Sequence, residues 1–370
     1  MRQKNRTDVC WPDYENCIAN LACSILKYYH IQPPNPTLPQ ADVLLQKQYK
    51  NVVVLLLDGM GTDIVNKHLK ENGFFRKHMK CTYSSTFPPT TVAATTAVES
   101  GLFPNQSAWL GWTGYFEEID RNVVYFLNED SDTGEKIVEP NVGSTFVPYE
   151  NVRNRIKSAG VQAHYLAPFA NPFPKSYSEI CDGIRELCDL EGRKYIYAYW
   201  PEPDASMHDY GVDDGRIRSM LTEIEACTKQ LASRLSDTLL LITADHGLIN
   251  IENEVLIEYP DIYECLLRMP SMEPRALNLF IKDGKKAQFE EVFLKHFGEA
   301  FLLFTKEEVL KKQLLGTGKN HERLTRMLGD YLAVATGSLA LGGREPGKYN
   351  GHHAGLLPAE MQIPLIAVER

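Results

Sequence analysis

The sequence predicts an α/β layered fold with a mostly parallel central sheet and helices on both faces, and three observations lead to it. Short apolar runs alternate with amphipathic stretches along most of the chain. The runs near 52–57, 195–200 and 239–244 are largely apolar on every side, as strands covered on both faces must be. Each leads into an aspartate, Asp58, Asp204 or Asp245, at what would be the carboxyl end of a strand, where open parallel sheets form their ligand crevice.

In chain order, 18–29 reads as a helix and the Pro-rich 33–39 as a connector. The first core strand is 52–57, followed by a helix over 62–72, with Gly59 and Gly61 allowing the turn between them. Residues 87–96, Phe-Pro-Pro-Thr-Thr-Val-Ala-Ala-Thr-Thr, read as an extended segment entering a helix that ends near Gly101. Strands over 161–166, 194–199, 239–243 and 363–368 complete the sheet, with helices over 150–158, 176–189 and 213–235. Segments 110–148 and 262–335 lack this rhythm. They are expected as insertions over the site of one catalytic domain spanning 1–370, the second forming a small cap with a strand over 278–282 and a helix over 286–297.

Bulk properties narrow the partners. With 370 residues, 44% hydrophobic and 24% charged, the chain can bury one large core. Its net charge of -9 argues against a nucleic-acid duplex or an anionic membrane as partner, since both select clustered Lys and Arg. Lys-rich stretches such as 306–312 are interrupted by acidic and apolar residues and read as solvated helix faces. No run approaches the roughly 20 apolar residues of a membrane span, and no apolar block opens the chain. Eight cysteines show no Cys-x-x-Cys spacing and are expected as free thiols. These features together lead to the expectation of a cytoplasmic enzyme acting on a small molecule, its oligomeric state left open.

The chemistry begins with Asp204 and His208, four residues apart after an apolar run, a spacing that makes a chelate. Asp245-His246-Gly247 and Asp58-Gly59 follow the other two runs. An unpaired carboxylate at the end of a buried strand is costly unless something positive neutralises it. Asp and neutral His suit zinc or manganese, and the absence of a Cys pair argues against a closed structural zinc site. The Pro-Pro-Thr-Thr segment places a hydroxyl beside the free N–H groups and positive dipole of a helix start, a phosphate-receiving geometry. Taken singly, each residue has an ordinary role: a threonine or aspartate there is a common cap, and a histidine is usually solvent-facing. Independent caps, however, have no reason to supply a complete ligand set at the ends of separate strands. Trp109, Trp112, Tyr115 and Phe116 read either as an aromatic wall of the site or as core packing.

Together these motifs resemble the alkaline phosphatase superfamily, specifically its nucleotide pyrophosphatase/phosphodiesterase branch, from 52 to 368. The resemblance implies a site for two divalent cations, zinc with manganese as the alternative. It assigns Asp58, Thr91, Asp245 and His246 to one ion and Asp204, His208 and His353 to the other. Thr91 would attack phosphorus and form a phosphothreonine intermediate. Spacing to Gly101 selects Thr91 over Thr90, and the following Ala354-Gly355-Leu356 selects His353 over His352. The implied reaction is hydrolysis of phosphodiester or pyrophosphate bonds of nucleotide-like or other small phosphate esters. Phosphomonoester or phosphonate hydrolysis, phosphoglycerate-mutase-like chemistry and a non-catalytic metal-binding role remain as alternatives. The family's His-Gly beyond the nucleophile helix is here Ser107-Ala108, and its phosphate-holding Asn has no counterpart near 109–112, so substrate placement is not carried over.

Overall fold

A computed structural model describes residues 9–344 and 347–370. Its central sheet has six strands, in the order Met79–Ser84, Gln362–Glu369, Thr238–Thr243, Asn51–Leu57, Lys194–Trp200 and Gln162–Leu166. The last four run parallel to one another, while Gln362–Glu369 is antiparallel to both of its neighbours. Asn51–Leu57 lies in the middle and is buried along its whole length, which is why it carries no alternation of polar and apolar residues. Helices Ile18–Tyr28, Thr91–Ser100 and Val152–Ser158 pack together as one group, and Tyr177–Asp189 packs against Gly215–Arg234, which also meets Thr62–His68.

Strand register gathers the site. Leu57 pairs with Trp200 and Leu56 with Thr243, so the three central strands finish level. Asp58, Asp204 and Asp245 therefore leave the sheet at the same edge although they are far apart in sequence.

The two segments without α/β rhythm do not cover the site separately. Both contribute to one second, antiparallel sheet of seven strands, ordered Phe301–Thr305, Tyr331–Ala335, Ala276–Leu279, Ser271–Glu273, Thr113–Phe116, Arg121–Val124 and Glu129–Asp130. The strand expected over 278–282 lies at Ala276–Leu279, and the helix expected over 62–72 ends at His68; Lys286–Phe297 is a helix as read. One apolar cluster joins this sheet to the segments around Thr91 and His353: Met272, Ala276, Leu332 and Val334 share a core with Phe87, Val92, Ala354 and Leu356. The second sheet is thus packed into the wall of the site.

Candidate active site

Asp58 follows the first core strand directly and is 2% exposed. Gly59 turns the chain at φ 71°, and an added Cβ there would lie 2.7 Å from Leu248 Cδ1 and 2.8 Å from Asp204 Cβ. Only glycine accommodates both the left-handed backbone and that approach. Its N–H donates to Asp245 Oδ1 at 3.0 Å, and the Asp204 N–H donates to the carbonyl of Asp58 at 3.0 Å, so backbone bonds lock the three turns together.

The three carboxylates converge. Asp58 Oδ1, Asp204 Oδ1 and Asp245 Oδ2 are each buried and lack a hydrogen-bond partner. Burial, then the charges of Asp245 and Asp204, drive the Asp58 carboxyl well above the usual carboxylate range, although the Tyr199 hydroxyl donates to its Oδ2. Burial also works against ionising Asp204, but His208, with Nε2 3.3 Å from Oδ2, overrides it and holds that carboxyl low. Three buried carboxylate oxygens facing one space with no donor are what a bound cation would satisfy.

The histidines are oriented to match. His353 Nδ1 lies 3.1 Å from the Pro89 carbonyl, His208 Nδ1 2.8 Å from the Gly351 carbonyl and His246 Nδ1 3.2 Å from the Gly247 carbonyl. A carbonyl only accepts, so each Nδ1 carries a proton; this leaves the Nε2 lone pairs of His246 and His353 for the site, whereas Nε2 of His208 is engaged with Asp204 Oδ2. Burial, then the neighbouring His246, keeps His353 well below the usual imidazole range, hence neutral and able to ligate. Asp58, Asp245 and His246 bring ligand atoms within 4.8 Å of one another, as do Asp204, His246 and His353. His246 belongs to both sets and stacks on His353 with ring centroids 3.8 Å apart, while His208, in neither set, is engaged with Asp204.

Two ambiguous pairs separate in space. Thr91 opens the helix Thr91–Ser100 with Oγ1 3.3 Å from His246 Nε2, whereas the Thr90 hydroxyl points away and donates to Glu273 Oε1. His352 Nδ1 is engaged by the backbone of His353, 2.9 Å from its N–H, and His352 belongs to neither ligand group. All seven predicted residues, Asp58, Thr91, Asp204, His208, Asp245, His246 and His353, thus border one place. Among the aromatics, Trp109 donates Nε1–H to the Val147 carbonyl and packs on Tyr125, while Tyr115 and Phe116 are buried; Trp112 alone is 41% exposed and faces the cleft.

The cleft above the site encloses about 900 Å³ and is walled by Trp112, Met272, Glu273, Arg344, Tyr349 and Asp132, among others. Glu273 and Asp132 were not legible as site residues, because their segments carry no motif and reach the site only through the second sheet, and Arg344 reaches it from the strand Leu339–Gly342, which pairs with Glu252–Val255. Tyr199 sits next to the end of its strand and looks like core. Arg275 is fully buried in a two-bond fork with Glu360 at 2.8 Å on each arm. Glu360 in turn accepts the Gly355 N–H and its carbonyl accepts the Gly247 N–H, tying the His353 and His246 loops together.

The sheet order and the strand ends that gather these residues define an α/β architecture of the alkaline phosphatase type. Residues 52–299 match the family of type I phosphodiesterases / nucleotide pyrophosphatases, and the chain belongs to that family. A 70-residue stretch is 40% identical to bis(5'-adenosyl)-triphosphatase enpp4 of Xenopus laevis, taking in 17% of this chain and 16% of that protein's length. Murine ectonucleotide pyrophosphatase / phosphodiesterase 5 superposes with a TM-score of 0.66 over 87% of this chain and 88% of that one, at 18% identity. Phosphonoacetate hydrolase from Sinorhizobium meliloti 1021, in complex with phosphonoformate, gives 0.63 over 85% and 89%, at 13% identity. At such identities the likeness concerns the fold. No helix among the described residues is long and apolar enough to cross a membrane, and the eight cysteines are free.

Proposed function

We propose that this protein hydrolyses phosphodiester or pyrophosphate bonds of nucleotide-like or other small phosphate esters, with Thr91 as nucleophile. The observation that carries the reading is the set of three unpartnered buried carboxylate oxygens beside inward-facing imidazoles and the Thr91 hydroxyl. That donor set fits two divalent ions, zinc or manganese, held by Asp58, Asp245, His246 and Thr91 on one side and by Asp204, His353 and His208 on the other. When bound, such ions lower the pKa of a ligated hydroxyl and neutralise developing charge on phosphoryl oxygens.

The chain supplies the rest. Thr91 lines the cleft at the helix start, with its Oγ1 3.3 Å from His246 Nε2 among the ligand residues. The first N–H groups of that helix, those of Thr91 and Val92, have no intrahelical acceptor and are placed to receive an equatorial phosphoryl oxygen. Attack by Oγ1 breaks the bond to the leaving oxygen and leaves a phosphothreonine, which water then hydrolyses. A structure of an inactive threonine-to-alanine variant of the murine neighbour is a complex with AMP, which supports a nucleotide-like substrate class. We also place the protein in the cytoplasm, on the strength of its acidic surface charge and free thiols.

A second reading, phosphomonoester or phosphonate hydrolysis, is favoured by Arg344, the one Lys or Arg side chain among the described residues lining the cleft. The test is turnover of bis-para-nitrophenyl phosphate against para-nitrophenyl phosphate, with metal analysis. Thr91→Ala should abolish turnover at nearly normal metal content, and a variant that keeps the wild-type rate refutes the assignment. A monoester rate above the diester rate selects the second reading. Metal without turnover of either ester leaves a binding protein.

A further inference from the structure

The helix that carries the nucleophile opens with two adjacent threonines, and the structure treats them differently. Thr90 stands at the N-cap position with extended backbone, φ -144° and ψ 150°, yet its side chain does not cap the helix. A threonine there ordinarily accepts an N–H from the first turn. Here its hydroxyl is turned away and donates instead to Glu273 Oε1. The same oxygen accepts the Trp112 N–H at 2.7 Å.

Glu273 is 6% exposed and ends the strand Ser271–Glu273 of the second sheet. No Lys or Arg pairs with it among the described residues. A buried carboxylate without a cationic partner is an expensive way to hold two neutral donors unless their placement matters. The neighbouring backbone is shaped for the contact: Gly111 lies so close to Met272 that an added Cβ would be 3.0 Å from its Cα, and this approach brings the Trp112 N–H within reach of Glu273. One oxygen thus joins the nucleophile turn, the loop bearing the exposed Trp112 ring, and the second sheet.

We infer that Glu273 is a positioning residue: by holding the Thr90 hydroxyl and the Trp112 N–H on one carboxylate oxygen, it fixes the helix start so that Thr91, and not Thr90, is presented to the phosphorus. The inference rests on the proposed role of Thr91. Released from Glu273, the turn at Thr90 loses the tether that holds the helix start, and Thr91 Oγ1 moves off the line of attack. A displacement of about 1 Å at a reacting atom costs on the order of 100-fold in rate. The effect falls on kcat, because the groups that bind the rest of the substrate are unchanged.

The experiment measures kcat and KM on bis-para-nitrophenyl phosphate for the metal-loaded protein, with melting temperature and metal content alongside. Glu273→Ala should lower kcat on the order of 30- to 100-fold with KM within about threefold. Glu273→Gln keeps an oxygen able to accept both bonds and should stay within about fivefold of wild type. Thr90→Val should lower kcat as Glu273→Ala does, and the double variant should be no worse than the poorer single, since one contact is lost once. If Glu273→Ala does not fold, Thr90→Val and Glu273→Gln carry the same test. Wild-type kcat in Thr90→Val or Glu273→Ala, a Gln variant as impaired as Ala, or additive losses each overturn the inference. Thr91→Ala, run in parallel, separates the two levels. If it is inactive while Glu273→Ala is normal, only this inference falls; if it turns over normally, the nucleophile assignment falls and takes this one with it.

Discussion

Asp58→Asn should move the stability of this protein in opposite directions with and without divalent metal. In the stripped protein, Asp58 and Asp245 bring ligand oxygens within 4.8 Å of one another. At an effective dielectric near 20, two like charges at that distance repel by about 3 kcal/mol, and keeping Asp58 protonated at neutral pH instead costs a similar amount. The amide removes that repulsion but weakens the bond from Tyr199, at a cost of about 1 kcal/mol. The net gain is about 2 kcal/mol. For a chain of 370 residues the unfolding entropy is about 0.8 kcal/mol/K, so the stripped variant should melt about 2–3 °C above stripped wild type. With metal at about a thousand times its dissociation constant, each bound ion adds about 4 kcal/mol, so a variant that loses one and keeps its gain of about 2 kcal/mol should melt about 2–3 °C below loaded wild type. Differential scanning fluorimetry with chelator and with added zinc or manganese reads both signs. A variant that shifts in the same direction under both conditions refutes the idea that these carboxylates are arranged around a cation.

Three further outcomes follow from the same geometry. Gly59→Ala should lower kcat by about 100-fold or more and cost about 2 kcal/mol, because the methyl group meets Leu248 and Asp204 at 2.7 and 2.8 Å on a backbone at φ 71°; normal kinetics and metal stoichiometry would contradict it. Arg275→Met leaves Glu360 buried and unpaired, an expected loss of about 3–5 kcal/mol that calorimetry should register as a fall of about 4–6 °C. Burial pushes the Glu273 carboxyl up to about 7. A raised carboxyl contributes stability below its unfolded pKa that is lost as pH rises through the folded one. In the stripped protein, Glu273→Gln should therefore gain on wild type by about 3 kcal/mol between pH 5 and 8, and a pH-independent difference in melting temperature would contradict that.

Much of the sheet and most of the site were legible because their signals are local. A strand covered on both faces must be apolar throughout, so 52–57 and 239–243 announce themselves, and a buried Asp at the end of such a strand has no inexpensive structural explanation. The strand Met79–Ser84 was not legible, because it lies at the sheet edge and alternates exposed with covered residues in a stretch rich in Lys and His. The second sheet was missed for a related reason. Its strands are two to five residues long, and their partners lie far away in sequence, Thr113 opposite Met272 for example.

Sequence alone put forward the side chains of the proposed chemistry: Asp58, Asp204, His208, Asp245 and His246 by residue type and their places after apolar runs, and His353 by family resemblance. Tertiary structure alone decided how they share the work. It turned Thr90 into Glu273 and Thr91 toward His246, placed His246 between both ligand groups, and withdrew Arg275 into the core while leaving Arg344 in the cleft. The reason is physical. Residue type and spacing specify what a group can bind, but the direction of a hydroxyl or the partner of a carboxylate is set by packing between elements that meet only when the chain is folded.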